Sequence, residues 1–558
     1  MSNKQKTKNS FIVQGVILAA AGIFSRMIGL IYRVPLIRIL GDNGNGIYTS
    51  AYYIYNLLLM VSSLSLPLAI SKIVSAKVAS RNYKECKRIL KCSLWFAMCV
   101  GGFIAVITFV FSDPIAKGYG CPSASPALKV LAPTVFVMSI VGVLRGYFQG
   151  LNTMVPTATS QVFEQIMNAV FSIVAAYLLA GVGANIANRF GKGTMRDAYA
   201  AAGGTVGTLM GALTALVIMM IYYFVNRRVI TFEDRIVRDP YTEYESTGEI
   251  LKLLIVTIIP VLLSTTVYQL SNLLDNLIYH NVLNGKGIEE EMRNSIWGVY
   301  GGSYVLITNI PVALAAALSS SLVPSLIDSY TRGNKRELAD KISVIFKFIF
   351  IFSLPCGIGL MALGRPIMAM LFPRTDLPLA YSLMMFSFFT VIAYSLSTIT
   401  NSILQGVDKL KLPLVHSAIS FVIHVILLTV SLISMVKGSN PKKAIYIVLV
   451  FDILYSVILC ILNFAAIRRH TRYRMEVIGT VIKPFFSSLI MGLVTYGAYI
   501  GMKHVIPYRI SCCISIAIAV CVYAVTLMVF KTVTEEELLN MPMGLRIYRL
   551  LKKVHLMN

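Results

Sequence analysis

Runs of about twenty apolar residues, broken by short polar connections, recur along the whole chain, and each is long enough to cross a bilayer as a helix. They fall at 11–33, 47–71, 91–112, 128–148, 157–181, 199–225, 250–279, 297–325, 342–363, 378–404, 413–436, 444–467, 483–503 and 510–530, fourteen in all. Pro67, Pro133, Pro260, Pro311 and Pro355 lie inside these runs, as suits helices that bend around a cavity. The pattern predicts an all-α polytopic membrane protein. No connection exceeds about 25 residues, which leaves no room for an extramembrane catalytic domain.

The non-apolar landmarks repeat. A shift of 252 residues carries Tyr48 onto Tyr300, Tyr52 onto Tyr304, Asn82 onto Asn334, Glu85 onto Glu337 and Pro114 onto Pro366. Further on the shift becomes 256, placing Gln149-Gly150 on Gln405-Gly406. Chance similarity between apolar segments explains this order less well than duplication. Duplicated helical membrane proteins are commonly transporters with the substrate site between the repeats. The expected organisation is a first lobe over 1–235, a second over 236–475, two further spans over 476–532 and a tail over 533–558.

Composition agrees: 56% of residues are hydrophobic and 13% charged, against about 25% charged in soluble domains. The formal net charge of +25 comes from lysines and arginines in alternate connections, which places both termini in the cytoplasm by the positive-inside rule. Nucleic acid is a poor alternative, because no soluble domain presents these charges. From Met543 the tail alternates apolar and basic residues and reads as an amphipathic helix on the anionic leaflet. Nine cysteines show no metal or redox spacing. His416, His424 and His504 read as packing residues.

Polar residues inside the spans carry the candidate chemistry. Gly22, Arg26, Gly29 and Arg33 form one stripe of the first span. A guanidinium at bilayer depth must face protein or a water-filled cavity, and its fork matches phosphate oxygens. The alternatives are an ion pair for Arg26 and snorkelling to the interface for Arg33. Thr157, Gln161, Glu164, Asn168 and Ser172 share a face of the fifth span; Thr265, Gln269, Asn272, Asn276 and His280 share one on the seventh, with Asp275 beside it. Each stripe is either wet or interhelical glue. Glu164 and Asp275 could balance Arg26, bind a coupling cation or titrate, and Asp452 in the twelfth span is a further residue of this kind. Tyr48 near the outer mouth reads as an aromatic-belt anchor, while Tyr52 faces the candidate site.

Ser25-Arg26-Met27-Ile28-Gly29 with Tyr32-Arg33 resembles the first-helix signature of the multidrug/oligosaccharidyl-lipid/polysaccharide flippase superfamily. Arg145-Gly146-Tyr147-Phe148-Gln149-Gly150, followed by Met154, Pro156-Thr157-Ala158, Ser160-Gln161 and Glu164-Gln165, resembles the fourth-to-fifth helix signature of its polysaccharide-transport branch. Within that branch the chain is similar to the stage V sporulation protein B and lipid II flippase group. The resemblance covers essentially the whole chain. It implies two pseudo-symmetric six-helix lobes, plus two helices bordering a groove for a lipid tail. It also implies transport of polyprenyl-diphosphate-linked sugars across the bacterial cytoplasmic membrane by alternating access. The first-helix arginines of the lipid II flippases match Arg26 and, allowing one residue of spacing, Arg33. One departure favours the sporulation-type or general polysaccharide branch: Leu306 and Asn309 precede Pro311 where Gram-negative lipid II flippases carry an arginine and an acid.

The expected function is therefore a flippase for undecaprenyl-diphosphate-linked cell-wall or polysaccharide precursors, lipid II being one candidate. Arg26 and Arg33 would hold the diphosphate, and Tyr52, Gln161, Glu164, Asn168, Gln269, Asn272 and Asn276 would contact the headgroup. Asp275 or Glu164 would bind a coupling cation, Na+ or H+. Membrane lipids are the other partners, the chain is expected to be a monomer, and neither cofactor nor metal is expected. A cation-coupled multidrug exporter of the same architecture is the first alternative. A membrane enzyme acting on lipid-linked sugars is the second, disfavoured because the outer connections lack an acid–base or metal cluster.

Overall fold

Many large apolar side chains of the helices face outward. In the segment Tyr508–Val529 the buried residues are Ser511, Cys512 and Ser515, while Ile510, Val520 and Val529 are exposed. Water would reverse that distribution; hydrocarbon permits it, because lipid tails are as apolar as the side chains they meet. The computed structural model describes residues 3–532 except 65, 81, 191–193, 237–245, 410, 437–439 and 472. Also outside the description are the side chains of 3–13, 15, 16, 19, 61, 64, 190, 227–236, 260–269 and 318–325. The amphipathic tail from Met543 and the side chains of Thr265 and Gln269 thus lie outside the described residues.

Seventeen α-helices are described: α1 Asn3–Leu59, α2 Leu66–Ala79, α3 Tyr83–Val110, α4 Ser112–Gly118, α5 Ser125–Gly150, α6 Val155–Phe190, α7 Met195–Ile236, α8 Thr247–Gly285, α9 Glu290–Trp297, α10 Val305–Thr331, α11 Lys335–Leu371, α12 Leu377–Met384, α13 Ser387–Gly406, α14 Lys411–Met435, α15 Lys443–Thr471, α16 Lys483–Met502 and α17 Tyr508–Val529. Among the described residues, 11 segments are long and apolar enough to cross a membrane. They correspond to all the expected spans but the first, second and seventh. The first and seventh run through side chains outside the description, and the second is broken at Met60–Leu64 by a π-turn.

Three expected spans are not single helices. A π-turn at Gly298–Tyr304 joins α9 to α10, and the tenth span breaks between α12 and α13. The first two spans run together as α1, interrupted only at Gly41 (φ 67°, ψ −177°), a conformation open essentially to glycine alone. There the chain turns back. Fifteen residues of straight helix would separate Arg33 from Tyr48 by roughly 22 Å, yet the guanidinium carbon lies 5.7 Å from the Tyr48 ring.

By internal contacts the chain forms two compact units: Met1–Gly298 with Met435–Pro441, and Val299–Ser434 with Lys442–Asn558. In the first, α8 packs on α1, α2 and α3. The expected division at 235/236 is a different one from this division by contacts, which keeps α8 with the first unit. The repeat itself is visible in local geometry. Asn82 caps α3 by accepting from the Glu85 amide at 3.2 Å, and Asn334 caps α11 from the Glu337 amide at 3.2 Å. Two residues after each Gln-Gly pair the chain adopts positive φ, 59° at Asn152 and 58° at Asp408.

In the first unit, glycines set the helix spacing. Gly203, Gly207 and Gly211 recur every fourth residue on α7; a Cβ at Gly207 would sit 2.1 Å from Ser172 Oγ and 2.4 Å from Asn168 O on α6. Gly142, Gly146 and Gly150 do the same on α5 against Ser63, Pro67 and Val74. Without a hydrophobic drive between helices in lipid, this close backbone approach supplies the packing energy. Gly207→Ala should therefore cost about 2–3 kcal/mol by overpacking and lower the melting temperature in detergent. Gly181→Ala, where a Cβ meets nothing within 4 Å, should leave it unchanged. Equal melting of the two variants would contradict this packing.

Candidate functional site

The turn at Gly41 lays the second half of α1 against the first, bringing Arg33 over two tyrosines. Its guanidinium carbon is 5.7 Å from the Tyr48 ring centroid and 5.9 Å from that of Tyr52. Tyr48, Tyr52 and Tyr55 follow at helical spacing with centroids 4.6 and 5.7 Å apart, and the Tyr52 hydroxyl is hydrogen-bonded to that of Thr208 on α7. Each cation–π contact contributes about 0.5–2 kcal/mol, and together they hold the guanidinium plane in place. One expectation is corrected, and one alternative is not supported. Tyr48 is 2% exposed and belongs to the core, so it is not a belt anchor. Arg33 is held by rings and does not snorkel freely.

Seven residues earlier, about 10 Å along the helix, Arg26 is exposed and has no hydrogen-bond or ion-pair partner among the described residues. Its stripe faces α6: a Cβ at Gly29 would lie 3.7 Å from Gln165 Oε1, and Asn168 Nδ2 donates to the Tyr32 hydroxyl at 3.3 Å. The acid on that α6 face is already matched. Arg145 of α5 binds Glu164 at 2.7 Å through Nη2 and Ser160 Oγ at 3.0 Å through Nε. Glu164 thus balances an arginine, but a different one from Arg26. Arg145 carried no role in the sequence reading, although it lies within an apolar span as Arg26 does.

The α6 stripe divides by function. The Ser172 hydroxyl donates to Gly204 O at 2.7 Å, with Asn168 Oδ1 a second acceptor 2.9 Å away, so Ser172 ties α6 to α7 while Asn168, through Tyr32, ties α6 to α1. Gln161 is half-buried, with an Oε1 that meets no donor among the described residues. On α8, Asn276 is fully buried and neither of its amide atoms has a hydrogen-bond partner among the described residues. A buried amide in that state is a place for a bound water or a ligand hydroxyl. Asp275 is buried beside it, Asn272 is half-buried, and His280 Nε2 lies 3.5 Å from Ser50 Oγ. All these residues belong to the first unit. The structure joins Arg33 to Tyr52, and Asn168 to Tyr32, leaving Arg26 open on the face shared with Gly29.

The family model described as polysaccharide biosynthesis protein matches residues 12–330, more than half of the chain. The chain belongs to that family. A second model, MatE, matches residues 302–430, and the two together place the chain in the multidrug/oligosaccharidyl-lipid/polysaccharide superfamily as a transporter or flippase. This member of the family is 26% identical over 502 residues to the lipid II flippase MurJ of Bacillus subtilis, covering 87% of this chain and 88% of that one. It is 22% identical to stage V sporulation protein B of the same organism, covering 96% and 98%. Among solved structures it is similar to lipid II flippase MurJ in an inward closed conformation, with a TM-score of 0.61, 14% identity and coverage of 92% and 98%. At that identity the likeness shows the fold.

Removing one member of a buried ion pair leaves the other uncompensated at a cost of about 3 kcal/mol. Glu164→Gln should therefore melt well below wild type, and Arg145→Met/Glu164→Gln should recover part of the loss. A single variant that melts like wild type would mean the pair carries no structural load.

Proposed function

We propose that the protein flips undecaprenyl-diphosphate-linked cell-wall or polysaccharide precursors, lipid II being one candidate, across the cytoplasmic membrane by alternating access. One observation carries this reading. With Glu164 bound to Arg145, Arg26 stands exposed with no carboxylate partner among the described residues, so the described part of the first span presents surplus positive charge at a depth where charge is costly. A diphosphate supplies the missing counter-charge and suits guanidinium geometry. Arg33, held by Tyr48 and Tyr52, offers a second pre-oriented fork, and Gln161, Asn272 and Asn276 supply amides for sugar or peptide groups. Membrane lipid surrounds the polyprenyl tail, both termini lie in the cytoplasm, and lobes 1–235 and 236–475 rock as the cavity changes side. The likeness to the Bacillus subtilis flippase supports the substrate class.

The MatE match over residues 302–430 favours a second reading, a cation-coupled exporter of organic cations. That reading calls for carboxylates where the first span offers arginine. Arg26→Ala at unchanged protein levels should abolish complementation of a flippase-deficient strain. Arg33→Lys should weaken it more than tenfold, because an ammonium keeps the charge but loses the planar fork. Full growth with Arg26→Ala, or resistance to cationic dyes on overexpression, would favour the exporter.

A further inference from the structure

The second unit holds a buried acid that the proposed flipping site does not use. Asp452 on α15 is 8% exposed. Its Oδ2 accepts a hydrogen bond from the Tyr300 hydroxyl at 2.8 Å, and the Tyr394 hydroxyl donates to the same carboxylate. Among the described residues no lysine or arginine is paired with it. The cation-forming group that faces it is His424 of α14, which is 1% exposed. His424 Nδ1 lies 2.9 Å from Phe451 O. A carbonyl oxygen only accepts, so Nδ1 carries the proton and Nε2 is the basic nitrogen of the ring. Tyr304 also faces the carboxylate and shares a 2.6 Å hydrogen bond with Thr390. Tyr455 stands edge-on to the imidazole, with centroids 5.8 Å apart.

We propose that Asp452 and His424 form a proton-binding site, and that this site couples transport to the proton. One proton adds to the pair, at Nε2 or at the carboxylate: a hydronium ion in the solvent loses an O–H bond and becomes water, one N–H or O–H bond forms at the site, and the cluster passes from a charge of −1 to zero. A carboxylate whose donors among the described residues are tyrosine hydroxyls is costly at bilayer depth, and protonation removes that cost. The ligand set suits a proton better than a metal cation. Among the described residues the site offers the single carboxylate of Asp452, tyrosine hydroxyls and an imidazole, with the Phe451 carbonyl already taken by His424 Nδ1, fewer hard oxygens than the roughly six to eight that cations such as calcium take. The site is also placed to move something. Tyr300 and Tyr304 stack at 5.8 Å inside the π-turn Gly298–Tyr304, the kind of irregular turn that marks functional positions in helices. Protonation of Asp452 turns an acceptor for Tyr300 into a group that can also donate, which alters the hydrogen bond holding that turn.

This inference deepens the flippase reading by naming the coupling ion, and it rests on that reading only for transport. The experiment accordingly has two arms on the full-length protein. Infrared difference spectra of purified protein, recorded across pH, should show a buried carboxyl band that Asp452→Asn abolishes. His424→Gln and Tyr300→Phe should each move its midpoint by about one pH unit, roughly tenfold in proton affinity, while Arg26→Ala leaves it in place. Tyr300→Phe removes one oxygen and keeps the ring, so it reports on the site even if Asp452→Asn fails to fold. In proteoliposomes, uptake of a fluorescent lipid II analogue should respond to an imposed pH gradient in wild type and lose that response in His424→Gln. Superimposable pH titrations of wild type, His424→Gln and Tyr300→Phe would overturn the site. A response to a Na+ gradient alone would overturn the coupling. Absence of any uptake by wild type, with the titration as expected, would count against the flippase reading and leave the proton site standing.

Discussion

In a bilayer, a charge that is not met by protein has to be met by something else, and one ion pair decides which charge is left over in the first unit. Arg145 and Glu164 bind at 2.7 Å, closing the account of the fifth-span acid. Arg26 remains open on the face it shares with Gly29, and Arg33 is braced by two rings. The brace depends on the turn at Gly41, which in turn depends on a backbone conformation that other residues avoid. In the proposed reading, ion pair, turn and ring stack together make this span a surface for an anion.

The repeat has kept its mechanical parts and changed its chemistry. The Asn82/Glu85 and Asn334/Glu337 caps and the positive-φ residues Asn152 and Asp408 preserve the same helix ends in both halves. Tyr48 and Tyr52 sit under a guanidinium. Their counterparts Tyr300 and Tyr304 sit by a carboxylate, Tyr300 bonding it through its hydroxyl. A tyrosine offers a ring face to a cation and a hydroxyl proton to an anion, so one duplicated pair serves both.

Much of this was legible in the chain because hydrophobic runs of bilayer length are among the strongest sequence signals. Every expected span falls in a helix or a broken helix, and the breaks at Met60–Leu64 and Gly298–Tyr304 escaped because a π-turn leaves the apolar run intact. The packing signal was present but unread: Gly142, Gly146 and Gly150, and Gly203, Gly207 and Gly211, stand four apart on α5 and α7, where small residues let backbones meet. Site residues were harder. Periodicity put Glu164 and Asn168 on one face, but whether a polar group bonds a neighbour or a ligand depends on residues far away in sequence, here Arg145 and Tyr32. The same holds for His424, which as an isolated histidine resembled packing and becomes chemically specific only beside Asp452.

The central claim is that surplus positive charge on the first span receives a lipid diphosphate. Translocation of a fluorescent lipid II analogue in proteoliposomes, compared with an uncharged analogue of the same tail, tests it most directly. The account predicts transport of the diphosphate by wild type, none of the uncharged lipid, and loss of diphosphate transport in Arg26→Ala that melts normally. Equal rates for the two lipids, or an undiminished rate in Arg26→Ala, would contradict it.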